Sequence, residues 1–194
     1  MRGVSLTQEK GECLALFGPN GAGKSTLLSV LSTRLRPHGG RFKLGGVNGL
    51  DNPELIRART LFLGHSTGLY GHLTAVENLR FFSDLRGLEI SDSTLRKSVT
   101  DVGLSRFADR PVGGFSAGMR KRVALGRLLI AQPSLLLLDE PYTALDAQGV
   151  DWLNTRIRIY LEGGGSVILV THDPERVAAL PHRQLRLENG TIAS

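Results

Sequence analysis

Residues 13–28 read CLALFGPNGAGKSTLL, and the order of residue types in this stretch decides how the rest of the chain folds. "CLALF" (13–17) is a short unbroken apolar run, and from Lys24 onward "KSTLLSVLSTRL" repeats apolar residues at helical spacing, so the passage reads strand, loop, helix. Gly18, Pro19, Asn20, Gly21, Ala22, Gly23, Lys24, Ser25 and Thr26 fit G-x-x-x-x-G-K-[ST] in the context that pattern requires. Its glycines free the backbone to wrap N–H groups round a polyphosphate, and the helix N-terminus adds the positive end of its dipole. In such a loop the lysine reaches the β and γ phosphates and the hydroxyl that follows it, here Ser25, ligates Mg²⁺. An ordinary glycine turn would need strand, lysine, hydroxyl and helix to coincide by accident.

A second stretch fits the first. In "LLLLDEP" (135–141) four leucines run into Asp139 and Glu140, which reads as a central parallel strand covered on both faces and ending in carboxylates. α/β folds place ligands at that end of the strand. Asp139 can hold Mg²⁺ through its water shell, leaving Glu140 as base for an attacking water. The two motifs together make a P-loop NTPase. "TLFLG" (60–64) and "SVILVTHD" (166–173) are further buried strands, "RQLRLENG" (183–190) reads as an edge strand with a turn, and 36–49 as a hairpin-like stretch. Strands alternating with helices give an α/β layered core. From Thr74 the pattern turns to helices without strands, so residues 1–65 and 120–194 are expected to form the P-loop core of a single domain, and about 70–118 a helical subdomain.

With 194 residues the chain can bury one substantial core, and no apolar run approaches the roughly 20 residues of a membrane span. The start "MRGVSLTQEKGE" has no secretory h-region, which points to the cytosol. One cysteine, Cys13, precludes an internal disulfide and lies in the apolar strand as a small core residue. A net charge of +6 suggests an acidic partner, nucleic acid or an anionic membrane surface. The cations are dispersed and not interleaved with aromatics, so no nucleic-acid partner is expected.

Residues 62–74, FLGHSTGLYGHLT, put His65 and His72 among three glycines. Their spacing of seven is neither the i, i+4 helical spacing nor a strand spacing that brings two imidazoles onto one ion. This is a hinge-like loop, not a two-histidine metal site.

"FSAGMRKRVALGRLLIAQP" (115–133) sets a serine and a glycine at the start of a long amphipathic helix, twenty residues before the strand-end carboxylates, and there the sequence resembles the ABC ATPases. Their signature loop is usually Leu-Ser-Gly-Gly-Gln; here it is Phe115-Ser116-Ala117-Gly118-Met119, keeping the serine and second glycine. "YTALD" (142–146) is similar to the family's D-loop, with Asp146 as its carboxylate, and "VTHD" (170–173) carries His172 at the switch-histidine position. The resemblance spans nearly the whole chain and implies the ABC-ATPase fold, a RecA-like core with a helical subdomain. It implies ATP and Mg²⁺ as cofactors, and a second ATPase subunit whose ATP is clamped by Ser116, Ala117 and Gly118. It also implies an integral membrane transport subunit seated on the helical part, so that the chain is peripheral on the cytoplasmic face of the inner membrane.

His172 would bond the γ-phosphate and hold water near Glu140. Counted back from "LTAVENL", His65 stands where the family has its Q-loop glutamine, as a catalytic and metal-shell residue, with Ser66 as the alternative one position on. If His65 fills that place, hydrolysis should fall on acidification and His65→Gln should abolish the fall. The family's adenine-stacking aromatic has no upstream counterpart except Phe17, so the N-terminal β subdomain reads as truncated. "FLGHSTGLYGHLTAVENLRFF", "FSAGMRKRVALGRLL" and "DEPYTALDAQGVDWL" are most similar to subunits of the haem-exporter type, which act in cytochrome c maturation. Direct haem binding is not implied. The alternatives are an ABC subunit for another transported substrate, or a soluble ABC ATPase such as one for iron–sulfur assembly.

Overall fold

The strand that opens this sequence is covered on both faces. β1 (Cys13–Phe17) buries Cys13, Leu14, Ala15 and Leu16 almost completely, which a run without alternation requires. The structure, a computed structural model, describes residues 3–193 in two compact units. Of the described residues, the first takes in those up to His65, Pro133–Pro141 and those from Asn154 to 193.

In this unit β1 leads through the glycine loop to α1 (Lys24–Leu31), a short hairpin of β2 (Lys43–Leu44) and β3 (Val47–Asn48), α2 (Pro53–Arg59) and β4 (Thr60–Leu63). β5 (Leu135–Asp139), β6 (Ser166–Val170), β7 (Arg183–Glu188) and β8 (Thr191–Ala193) complete a six-stranded sheet of order β4-β5-β6-β1-β7-β8. All neighbours are parallel except β7 and β8. Leu14, Leu16, Leu137, Ile168 and Val170 meet Leu27 and Leu28 of α1 in one apolar cluster.

β7 is not the edge strand that the sequence reading expected. It pairs with β1 on one side and β8 on the other, through a two-residue turn at Asn189 and Gly190, both at positive φ (49° and 81°). Such a turn matches strand twist and favours Asn-Gly. The charges are tolerated because Arg183, Gln184 and Arg186 stay exposed while Leu187 is buried.

The second unit comprises Ser66–Gln132 and Tyr142–Leu153. Its helices are α3 (Ala75–Leu85), α4 (Asp92–Asp101) and α5 (Ala117–Ala131), with the opening turns of α6 (Ala147–Glu162). α3 starts on a reciprocal cap: Glu77 N–H donates to Thr74 Oγ1 (3.1 Å) and Thr74 N–H to the Glu77 carboxylate (2.8 Å). Ser91 and Ser116 cap α4 and α5 one-sidedly, their hydroxyls accepting the N–H of Thr94 and Met119. Leu79, Leu95, Val99 and Val123 are fully buried among them. This unit is larger than the 70–118 stretch of the sequence reading, because Val123 and Ile130 of α5 and Trp152 of α6 pack into the same helical cluster.

Candidate functional site

The loop after β1 is shaped by what its glycines avoid. Gly18 (φ 144°) runs so close to β7 that a Cβ there would stand 2.1 Å from the Leu187 carbonyl oxygen. Gly21 (φ 80°) faces open space, and Gly23 (φ 104°) enters α1 in the left-handed region without a side-chain cap. A helix start with no capping side chain leaves backbone N–H groups for an anion. Lys24, a residue only 8% exposed, folds back over the loop, its ammonium donating to Gly18 O at 2.7 Å and Pro19 O at 3.0 Å. Ser25 and Thr26 are exposed in the first turn, and Pro19 and Asn20 at the loop tip.

Because β4, β5, β6 and β1 run parallel, the residues that follow each of them share one edge of the sheet. Asp139 ends β5 buried (6% exposed), in register with Val170. Glu140 takes a left-handed backbone (φ 47°) costly for a non-glycine residue, anchored by its N–H to Val170 O at 2.9 Å. Its carboxylate Oε2 lies 2.9 Å from His172 Nδ1, an exposed ring two residues past β6. An ionised carboxylate only accepts, so Nδ1 carries the proton of this bond. His65 is exposed, two residues past β4, whose Leu63 pairs with Leu138. The P-loop, Asp139, Glu140, His172 and His65 thus gather in the first unit.

No group of three or more His, Cys, Asp or Glu close enough to hold a metal occurs among the described residues. Ser25 and Asp139 are oxygen donors of the kind Mg²⁺ takes, an ion that keeps several waters and binds one or two carboxylates plus substrate phosphate rather than a protein cage. β6 alone separates β5 from β1, so the strand bearing Asp139 lies about 10 Å from the one entering the P-loop. Ser25 and Asp139 offer the hard oxygen donors such an ion prefers, whereas the His65 imidazole is the poorer donor for a hard cation.

The second unit holds the remaining sequence candidates. Ser116 Oγ accepts from Met119 N–H (3.2 Å), Ala117 opens α5, and a Cβ on Gly118 would stand 2.7 Å from Ala144 O. Asp146 accepts Gly149 N–H at 2.9 Å and the Arg122 guanidinium at 2.5 Å, and these two bonds in that order hold its carboxyl below the usual range. Ser116 and Asp146 therefore also serve as helix caps. His72 is exposed, edge-on to Tyr70. Two residues that sequence reasoning passed over hold the loop between His65 and α3, namely Asn78 and Arg127, and their polar heads inside helical patterns were the only signal. Tyr70 N–H donates to Asn78 Oδ1 (2.8 Å), and Asn78 Nδ2 donates to Thr74 O (2.9 Å), Tyr70 O (3.1 Å) and Leu73 O (3.2 Å).

A glycine loop closed by a lysine, a buried strand-end aspartate and a Glu–His pair on one parallel sheet edge define a P-loop NTPase. The family model described as ABC transporter matches residues 1–143. The cytochrome c biogenesis ATP-binding export protein CcmA of Salmonella typhi is 41% identical over 189 residues, 97% of this chain and 90% of that protein. CcmA of Escherichia coli (strain K12) is 38% identical over 185 residues, 95% and 87% of the two chains. Among solved structures, an ATP-binding subunit of an ABC transporter superposes with a TM-score of 0.89 at 28% identity, over 98% of this chain and 80% of that one. A dimeric ATP-binding cassette in a post-hydrolysis state with ADP and Pi gives 0.88 at 28% identity, over 98% and 87%. The chain belongs to the ABC transporter family.

Proposed function

We propose that this chain is the ATP-binding and ATP-hydrolysing subunit of an ABC transporter of the haem-exporter type, acting in cytochrome c biogenesis. The observation that carries the hydrolytic reading is the 2.9 Å pairing of Glu140 with His172 on the sheet edge where the P-loop begins. The export role is supported by the CcmA relatives, which match nearly the full chain.

In this reading the N–H groups of Gly21 to Thr26 and the Lys24 ammonium would hold the β and γ phosphates, and Ser25 and Asp139 would hold Mg²⁺. Bound there, Mg²⁺ offsets charge on the phosphate oxygens. Glu140 takes a proton from water as its oxygen attacks the γ-phosphorus and the bond to the β–γ bridging oxygen breaks, releasing ADP and phosphate. His172 already donates from Nδ1 to Glu140, so it can also donate from Nε2 to the γ-phosphate only as an imidazolium. His65 senses the γ-phosphate end from β4. Ser116, Ala117, Gly118 and Asp146 act on the nucleotide of a second subunit, closing an ATP-dependent dimer.

No helix among the described residues is long and apolar enough to cross a membrane. In this reading, which the CcmA relatives support, transport belongs to a separate integral membrane subunit that seats this chain on the cytoplasmic face. The test is Glu140→Gln with saturating MgATP. The expected result is hydrolysis reduced about a hundredfold or more, with a stable nucleotide-bound dimer on gel filtration. A variant that binds ATP yet remains monomeric, or hydrolyses at the wild-type rate, refutes the assignment. A multi-span protein recovered with the chain from solubilised membranes supports the transport role, and a soluble scaffold in its place refutes it.

A further inference from the structure

Arg127 is a cation that the proposed chemistry does not use. It lies on α5, its Nε is sealed from solvent without a hydrogen-bond partner, and it forms no ion pair with a carboxylate among the described residues. Its terminal nitrogens donate instead to two main-chain carbonyls, Thr67 O at 2.9 Å and Gly68 O at 3.0 Å, and its guanidinium lies 5.2 Å from the Phe82 ring centroid. Elsewhere in this unit Arg96 pairs with Asp92 and Asp109, and Arg122 with Asp146. Burial pulls the Arg127 pKa below the ordinary arginine value. An apolar side chain would fill this place without the cost of desolvating a charge, so the pair of carbonyls it holds is the feature to explain.

Those carbonyls follow His65 by two and three residues. Gly68 sits at φ +57°, a conformation that favours glycine, and its carbonyl converges with that of Thr67 on the one guanidinium. At the other end of the loop Asn78 fixes Tyr70, Leu73 and Thr74. The segment from Thr67 to Thr74 is thereby tied at two points, and the first tie stands on α5, the helix that begins at Ser116. A lysine cannot reproduce this grip, since its ammonium is a point charge and the guanidinium a two-pronged fork.

We infer that Arg127 is a positioning residue that fixes the loop after His65 to α5, so that hydrolysis depends on it and nucleotide binding does not. The inference rests on the reading of His65 given above, and two measurements separate them. Amide hydrogen exchange across residues 66–69 is compared in the nucleotide-free wild type, Arg127→Lys and Arg127→Met. Steady-state kcat and KM for MgATP are measured on the same proteins. Both variants should raise exchange over 66–69 about tenfold, leaving peptides from β1 and β5 unchanged. In both, kcat should fall about tenfold while KM stays within about threefold.

Unchanged exchange over 66–69 in Arg127→Lys overturns the inference, as does a joint loss of kcat, nucleotide affinity and melting temperature, which would make Arg127 part of the general scaffold. If Arg127→Met does not fold, Arg127→Lys carries both measurements. If the wild type hydrolyses no ATP, the proposed function fails, and the exchange comparison alone decides whether Arg127 holds the loop.

Discussion

Replacing Gly18 and Gly21 separately by alanine separates two costs of the phosphate loop. Both residues have positive φ, 144° and 80°, where an L side chain costs about 1–2 kcal/mol. Gly21 has no heavy atom within 4 Å of an added Cβ, so Gly21→Ala should carry that cost alone. At Gly18 the new methyl would lie 2.1 Å from Leu187 O. Ordinary contact distance requires a retreat of about 1 Å. Leu187 is fully buried in β7, paired with Ile192 on one side and following Arg186, which pairs with Phe17, on the other. Forcing it back adds an overpacking cost of about 1–3 kcal/mol, for a total near 2–5 kcal/mol. For a chain of this size each kcal/mol lowers Tm by about 2–4 °C, so Gly18→Ala should melt roughly 2–12 °C below Gly21→Ala. Urea unfolding of both nucleotide-free variants with unchanged slope is the assay. Equal losses would show that the approach to β7 can relax without cost and would refute the reasoning.

Burial, with a smaller contribution from Glu12, pushes the Cys13 thiol up to about 12, so a thiol reagent at pH 8 should leave the folded protein unmodified and label Cys13 only on denaturation. Rapid labelling of the native state would contradict the burial of β1. The Asp146 carboxyl is held below its unfolded value of about 3.9 by Gly149 N–H and Arg122. Its stabilisation is therefore fully present above that value and lost as pH falls through the lowered one. The drop in urea midpoint from pH 5 to pH 3 should be smaller in Asp146→Asn than in the wild type, and an identical pH dependence would remove Asp146 as a contributor.

The strands that carry the site were legible because each is a run of apolar residues ending in a glycine or a charge. "CLALF" and "LLLLD" coincide with β1 and β5 to the residue. The helix after the P-loop is shorter than its apolar pattern, ending at Leu31 because Thr33 turns to φ 58°. α2 and α6 were not assigned from sequence, although Leu153, Ile157 and Leu161 of α6 recur at helical spacing and are all buried. At the candidate site, residue types singled out the P-loop, Asp139, Glu140 and His172, all of which lie in the first unit. The part played by Arg127 was not legible beyond its polar head inside a helical pattern, because its partners are backbone carbonyls brought near by the fold and a carbonyl leaves no mark on residue identity.

The bonds from Lys24 to the carbonyls of Gly18 and Pro19 mean that the nucleotide-free loop is braced by its own lysine. An arriving phosphate exchanges two neutral acceptors for anionic oxygens along a backbone that is already shaped, so little ordering entropy opposes capture. The same brace changes how a lysine knockout is read. Lys24→Met removes a phosphate ligand and the loop's internal strut at once, so its loss of affinity sums two effects. A variant that keeps the strut, with changes confined to Ser25 or Thr26, reports the phosphate contact more cleanly.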